Sequence, residues 1–476
     1  MTKETHSQPP MANHTTVSIL ELRAVLNGRV ISPEDAAYDT VRPVFYGARS
    51  RRPALIVRVA DATDVSHVVS LARARGLELA VRSGGHSLAG HSTTDGGIVL
   101  DLSEMKGFEI DLPGRTAWAE TGLTAGEYTA AAGAHGLATG FGDTGSVGIG
   151  GITLGGGVGF LVRKYGLTID DLLAAEIVTA DGELLYVDAE SHPDLFWAIR
   201  GGGGNFGVAT RFKFRLHEVD TIVGGMLILP ATSEVISSFV AEAEAAPDEL
   251  STIANVMVAP PMPFLPAEAH GRLVIMSLLC YAGEVDEGER AIAPFRALVT
   301  PLADTVGPKP YPQMYEPAEP GPDEEVARSL FVDSFDSRVA QTIVEHLRAS
   351  TAPLAVAQIR VLGGAMTRVS ADATAFTHRE RGIMVALGAV YERPEETATH
   401  KEWVGRFAAA LRQGDGGVYV NFLGDEGEAR IREAYPGATF ERLAEIKGRY
   451  DSTNLFRLNQ NIPPATGGRA GRDAAS

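Results

Sequence analysis

Ten of the twenty residues from Gly140 to Gly159 are glycine. That density excludes a long regular helix or strand there, because each glycine costs about 0.5–1 kcal/mol in the interior of either element. It suits backbone that takes positive φ or closely approaches something bulky. A second block, Gly201-Gly-Gly-Gly204, follows, and the chain as a whole holds 53 glycines in 476 residues. That share is roughly 11%, against about 7% in an ordinary protein. Two glycine loops on one chain leave two readings open. One is tight packing between sheets; the other is a large, flat, anionic cofactor with a pyrophosphate, held from two sides.

Composition narrows the ligand. The 60 acidic and 42 basic residues give a formal charge of −18, the wrong sign for nucleic acid or an anionic membrane surface. A single cysteine, Cys280, excludes an intramolecular disulfide, a thiolate zinc site and a CxxC pair. Met1–Thr16 has no apolar core of a signal peptide, and no run approaches the 18 or so apolar residues of a membrane span. The expectation is a soluble, cytoplasmic protein with a small-molecule substrate. Its oligomeric state is unreadable from sequence.

At this length two or three domains are expected. Residues 1–16 and 464–476 read as a disordered N-terminus and a flexible tail, rich in small and polar residues. Between them, Pro53–Ser87 reads as a βαβ unit: strand Ala54–Val59, a helix capped by Thr63 and closed by Gly76, and strand Leu77–Arg82. The unit ends in Ser83-Gly84-Gly85-His86-Ser87, a turn of the kind that presents backbone N–H groups to a phosphate. Leu172–Tyr186 carries two strands about Asp181-Gly182, Asp194–Arg200 a helical turn, and Phe212, Phe214 and Leu216 a half-buried strand.

From Val219 the texture changes to alternating segments, such as Val274–Leu279 and Ile383–Val390, separated by helices. That pattern indicates an antiparallel sheet covered by helices, so the fold class is α+β. Pro308–Pro322, with six prolines, reads as a long loop. A C-terminal part begins at Gly414, with strand Val418–Phe422 and a helix around Phe440–Lys447.

Several site patterns are absent: GxxxxGK[ST], HExxH, GxSxG and an EF-hand loop. His86 and His91 lie in a glycine-rich loop without a nearby cysteine, so no metal site is expected. Gly202-Gly-Gly-Asn-Phe-Gly207 matches GxGxxG, but a helical turn precedes it and a strand follows. That is the reverse of a dinucleotide fingerprint.

Val81-Arg-Ser-Gly-Gly-His-Ser87, Gly148-Ile-Gly-Gly-Ile-Thr-Leu-Gly-Gly-Gly-Val-Gly159, Arg163–Leu167 and Asp194–Gly207 resemble, in order, blocks of the berberine bridge enzyme-like oxidases. That family lies within the vanillyl-alcohol oxidase flavoprotein superfamily. Tyr419–Phe422 and Lys447–Asn459 resemble its C-terminal blocks. The resemblance covers residues 40–217 and 414–463 and is loose over 218–413. It implies a two-part FAD-binding domain, 17–217 and 414–463, around a substrate-binding domain, 218–413. It also implies FAD bonded through its 8α-methyl to His86, with Ser83, Gly84, Gly85 and Ser87 facing the pyrophosphate. On the matched blocks, Arg82, Gly148, Gly151, Ile152, Gly156, Val208, Asn421 and Asn459 join the implied FAD-binding set.

Two positions depart from the family pattern. Thr144 stands where relatives carry a Cys bonded to flavin C6, so a single covalent anchor is expected. Phe422 stands at the second Tyr of YxNY, which relatives use beside flavin N5. On a strand, Tyr419 and Asn421 would share one face and Phe422 the other. The base must then be Tyr419, the first choice, or a group of the middle domain. There the alternating Ala355–Val361 puts Gln358 and Arg360 on one face, able to floor a substrate pocket or to face solvent. Tyr165, His378, Tyr311 and Tyr315 are further candidates for the substrate pocket.

The expected activity is FAD-dependent oxidation of a small alcohol, amine or activated C–H donor, a secondary metabolite, with O2 as acceptor. The alternatives are a dehydrogenase with another acceptor, a deazaflavin in the same groove, a carbohydrate oxidase and a non-catalytic flavin-binding protein.

Overall fold

Asp61, in extended backbone, starts helix Ala62–Arg75: its carboxylate accepts hydrogen bonds from the N–H groups of Thr63 and Asp64 at 2.8 and 3.0 Å. The expected cap at Thr63 thus shifts two residues back, because only Asp61 lies outside the helix and reaches two of the unpaired first-turn amides. Gly76 ends the helix at φ +61°. The computed structural model describes residues 19–46, 50–263, 265–315, 324–414 and 416–465. Residues 1–16 and most of the expected tail lie outside these.

The buried Val65, Val68, Val69 and Ala72 of this helix pack on a four-stranded sheet. Its strands are β1 (Arg29–Ile31), β2 (Leu55–Arg58), β3 (Leu79–Arg82) and β4 (Ile98–Asp101), in the order β1-β2-β4-β3, with β2, β4 and β3 parallel. A second sheet is antiparallel and five-stranded. Its members are β5 (Phe108–Asp111), β6 (Thr116–Glu120), β8 (Leu172–Val178), β9 (Leu184–Asp188) and β10 (Val208–Arg215), in the order β5-β6-β10-β8-β9. Phe212 and Phe214 of β10 are buried, and Lys213 and Arg215 alternate with them, as the periodicity predicts. A short ribbon joins β7 (Leu137–Ala138) to β11 (His217–Glu218).

The third sheet supplies a wall of the site. It comprises β12 (Thr221–Pro230), β13 (Leu250–Val258), β14 (Leu273–Tyr281), β15 (Ala303–Asp304), β16 (Gly307–Pro310), β17 (Glu324–Val332), β18 (Leu354–Val361) and β19 (Ile383–Tyr391). The order is β15-β12-β14-β13-β18-β19-β17, all antiparallel, with β16 also on β12. One face is covered by helices Ser233–Ala245, Val285–Ala297, Ser337–Arg348 and Thr397–Leu411, which bury Ala357, Ile359, Val385 and Leu387. The fold is α+β with an antiparallel sheet under helices, as the sequence indicates. The proline-rich stretch is not all loop. Pro308 and Pro310 sit in the edge strand β16, where a missing N–H is tolerated, and Tyr311–Met314 is a 3-10 turn. Residues 316–322 of that stretch lie outside the described ones.

Helix Ala438–Tyr450 ends in a buried ion pair. Lys447 Nζ lies 2.6 Å from Asp451 and donates to the carbonyls of Asn205 and Phe456 at 2.7 and 2.9 Å. Asp451 in turn accepts the N–H groups of Leu455 and Phe456, both at 2.8 Å. With all these partners supplied, the pair escapes the penalty of an isolated buried charge and fastens the C-terminal segment to the Gly202–Asn205 turn. Among the described residues no helix is long and apolar enough to cross a membrane.

Candidate active site

The Ser83–Ser87 turn and the first glycine block meet backbone to backbone. A Cβ on Gly84 would fall 2.2 Å from the N of Gly148, and one on Gly148 would fall 2.2 Å from the N of Gly84. No side chain fits at either position, which is the physical reason for glycine there. Ser83 ties the junction together: its Oγ donates to the Thr121 carbonyl at 2.5 Å and accepts the Gly150 N–H at 3.3 Å. Above this junction lies a cavity of about 450 Å³, lined by Ser83–Ser87, Asp143, Thr144, Gly148, Gly151 and Ile152 on one side.

His86 sits in its wall with the ring stacked on Phe45, centroids 3.9 Å apart. Burial lowers its pKa to about 4, although the backbone of Ser146 and the charge of Asp143 act the other way. The imidazole is therefore neutral across the physiological range. Its Nε2 is buried and has no hydrogen-bond partner among the described residues.

The C-terminal segment closes one end. Val418–Phe422 is not a strand: Val420–Phe422 forms a 3-10 turn, with the Phe422 N–H bonded to the Tyr419 carbonyl at 2.9 Å. The alternation expected of a strand is lost, so Tyr419, Asn421 and Phe422 all line the cavity. Tyr419 Oη accepts the Gly157 N–H and one N–H of Asn421, each at 2.8 Å, and Asn421 also donates to the Ile152 carbonyl at 3.0 Å. Burial raises the pKa of Tyr419. Phe422 lies edge-on to Tyr419, with the guanidinium of Arg360 5.2 Å from its centroid.

The uncovered face of the eight-stranded sheet is the opposite wall. Gln358 and Arg360 share that face, as the alternation of β18 requires, and both line the cavity. Arg360 pairs with Asp143 at 2.5 Å and donates to Gln358 at 2.9 Å, and Gln358 donates to Asn255 at 2.9 Å.

Against this geometry, the family model for an FAD binding domain matches residues 53–188, and the model described as berberine and berberine like matches 418–463. The (R)-6-hydroxynicotine oxidase of Paenarthrobacter nicotinovorans is 32% identical over 451 residues, spanning 92% of this chain and 97% of that protein. The chain belongs to the berberine bridge enzyme-like FAD-linked oxidoreductases. An uncharacterized FAD-linked oxidoreductase of Bacillus subtilis, YvdP, is 31% identical over 458 residues, 92% of this chain and 99% of that one. Among solved structures, 6-hydroxy-D-nicotine oxidase from Arthrobacter nicotinovorans superposes with a TM-score of 0.82 at 29% identity, covering 92% and 98% of the two chains.

As a berberine bridge enzyme-like protein it is an enzyme that uses FAD, and the cavity fits that cofactor. Glycines without neighbours within 4 Å of a Cβ, Gly151 and Gly204, leave its wall open. Buried polar atoms lacking partners among the described residues, His86 Nε2 and Asn459 Oδ1, belong to residues that line it. Val208 lines it as well.

Two expected FAD contacts lie outside this lining. Arg82 sits behind the loop, bonded to Asp101 at 3.0 Å and to the carbonyls of Arg42 and Pro43, where it holds the Ser83–Ser87 turn in place. Gly156, at φ +133°, lets the rings of Phe376 and Tyr419 close in: a Cβ there would lie 3.2 Å from each.

Four expected pocket residues lie elsewhere. Tyr165 stacks on His217 at 3.9 Å, and His378 bonds the Glu433 carbonyl at 3.0 Å. Tyr311 and Tyr315 are buried against each other, hydroxyls 2.9 Å apart. His378, Tyr311 and Tyr315 are buried with a polar atom hydrogen-bonded, and Tyr165 is half-buried against the core. Cys280 is buried too, its thiol pushed up to about 12 by desolvation, which makes it inert.

Sequence reasoning missed Tyr46, His91, Asp143 and Glu325, all of which line the cavity. Asp143 lies inside the glycine block and could have been singled out as its only charged residue. His91 shares the glycine-rich loop of His86, and Tyr46 and Glu325 carry no local signal.

Proposed function

We propose that the enzyme oxidises a small organic donor held between the Gly148–Ile152 wall and the sheet, with its FAD joined covalently to His86 and O2 as the electron acceptor. When bound, FAD supplies the hydride-accepting chemistry and passes the electrons on. The observation that carries the covalent link is the state of His86: buried at the cavity wall, neutral above about pH 4, and with Nε2 unpartnered among the described residues. A neutral ring nitrogen with a free lone pair is the form that bonds to an electrophilic carbon. Thr144, whose hydroxyl reaches Asp143 at 3.2 Å, offers no thiolate for a second bond.

Around the donor, Phe422 and Val356 provide apolar surface, and Gln358 and Arg360 provide a fixed polar network. Tyr419 is reassigned from base to anchor. Burial raises its pKa, so it holds its proton at neutral pH, while its oxygen orders Gly157 and Asn421.

The deciding experiment is intact mass after acid denaturation, with peptide mapping. One FAD of added mass on the peptide containing His86 is the expected result. An unmodified chain from a yellow protein would remove the covalent link, and an unmodified chain from a colourless protein would remove the whole reading.

A further inference from the structure

The cavity wall contains two acidic side chains, and their situations differ. Asp143 is neutralised by Arg360 at 2.5 Å. Glu325, on β17, forms no hydrogen bond or ion pair among the described residues, and its carboxylate opens onto the cavity. Ala327, Val356 and Ala386 give the same wall an apolar surface, and Tyr46 is the titratable group close enough to feel the charge of Glu325. Gly388 of β19 lies beside it: a Cβ there would be in ordinary contact with Glu325 Oε1 at 3.7 Å and tight against Val356 at 3.3 Å. A carboxylate kept in such a place without a cation is costly unless a ligand supplies one.

The basic side chains that line the cavity do not provide that cation. Arg360 is committed to Asp143, and Arg328 lies 2.7 Å from Glu426. His86 and His91 are neutral, each lowered by burial to about 4. Tyr46 and Tyr419 keep their protons, since burial raises both. Every other ionisable group in the wall is therefore paired or uncharged at pH 7.

We infer that Glu325 is the recognition site for a cationic nitrogen, so that the donor of the proposed reaction is a small amine with an apolar body, arriving as an ammonium ion. The ammonium ion-pairs with the carboxylate, and its N–H bond then breaks as an O–H bond forms on Glu325. No electrons change hands in that step, and it leaves the neutral amine whose lone pair an oxidation at the adjacent carbon requires. A carboxyl whose pKa burial has raised to about 7 is poised to accept and release such a proton near neutrality. The inference rests on the proposed function for its chemistry but not for its binding.

The test is isothermal titration of the holoenzyme under nitrogen with benzylamine, benzyl alcohol and benzyltrimethylammonium. The wild type should bind benzylamine about tenfold or more tighter than benzyl alcohol, the scale of one charge-assisted hydrogen bond. Glu325→Gln, close to isosteric, should bring the two within about twofold, and Glu325→Asp should keep part of the preference. Affinity for benzyltrimethylammonium, which cannot lose a proton, should rise between about pH 6 and 8 in the wild type and stay flat in Glu325→Gln. Equal binding of amine and alcohol by the wild type, or a preference that survives Glu325→Gln, overturns the assignment. The two readings fail separately. A flavinylated chain indifferent to ligand charge sinks this inference alone. A flavin-free chain that still selects ammonium through Glu325 sinks the proposed function alone.

Discussion

Asp143 and Arg360 meet at 2.5 Å and so join the glycine-rich loop to the sheet that faces it. The Arg360 side chain is only 4% exposed. Removing its partner leaves a nearly buried charge with Gln358 as its remaining polar contact. Asp143→Asn is expected to cost about 2 kcal/mol or more in urea unfolding, and the Asp143→Asn/Arg360→Met double variant to recover most of that. Additive losses would show that the pair is incidental.

Two alanine substitutions three residues apart should behave oppositely. Gly148→Ala drives a Cβ to 2.2 Å from the backbone of Gly84, which cannot yield without separating the loops. A loss of about 3 kcal/mol is expected. Gly151→Ala meets nothing within 4 Å and lies in helix Ile149–Gly155, so the apoprotein should be as stable or up to about 1 kcal/mol more so. Its methyl points into space the cofactor would use, and the amount of FAD retained on purification should fall. Differential scanning calorimetry with flavin absorbance reads both effects.

Tyr419→Phe strips the acceptor from two N–H groups, those of Gly157 and Asn421. Each buried orphan donor costs about 1–3 kcal/mol, so a clear drop in melting temperature is expected. Because Tyr419 is assigned as an anchor, the rate of flavin bleaching by an amine donor should fall less than tenfold in stopped flow. A loss of several orders of magnitude would restore it as the base.

The carboxyl of Glu325 gives a pH signature independent of any ligand. Its folded pKa, about 7, stands above the ordinary carboxylate value of 4.5 because burial disfavours the charge. The folded state then binds more protons than the unfolded state between those values, so stability contributed by this site declines as pH rises through the window. Replacing it with Gln should leave stability unchanged near pH 4 and raise it by about 1–3 kcal/mol at pH 8. A pH-independent difference between wild type and Glu325→Gln in chemical denaturation would contradict the burial that the site argument relies on.

What could be read from sequence was whatever short spacing determines. The glycine contacts, the Ser83–Ser87 turn and the shared face of Gln358 and Arg360 follow from local conformational rules, and burial along β18 alternates from Leu354 to Ile359. Val418–Phe422 misled because five residues with alternating apolar character also fit an irregular segment. Tertiary bonds decide its shape, among them Gly157 N–H to Tyr419 Oη and Ser329 to the Phe422 carbonyl. Glu325 was invisible for a related reason. It follows Asp323 and Glu324, a run that reads as a solvated strand end, and only the packing of β17 beside β19 sets it against Gly388.

The buried Lys447–Asp451 pair also bears on when the site comes into being. Ser83, near the start of the described chain, and Asn459, near its end, line one cavity, and the ion pair holds the later segment in place. A nascent chain lacking residues 419–460 has the Ser83–Ser87 and Gly148–Ile152 walls but one side of the groove missing. Cofactor capture is thereby made a late event of biogenesis, and a cell could read the yellow colour of this protein as proof that its two distant ends have found each other.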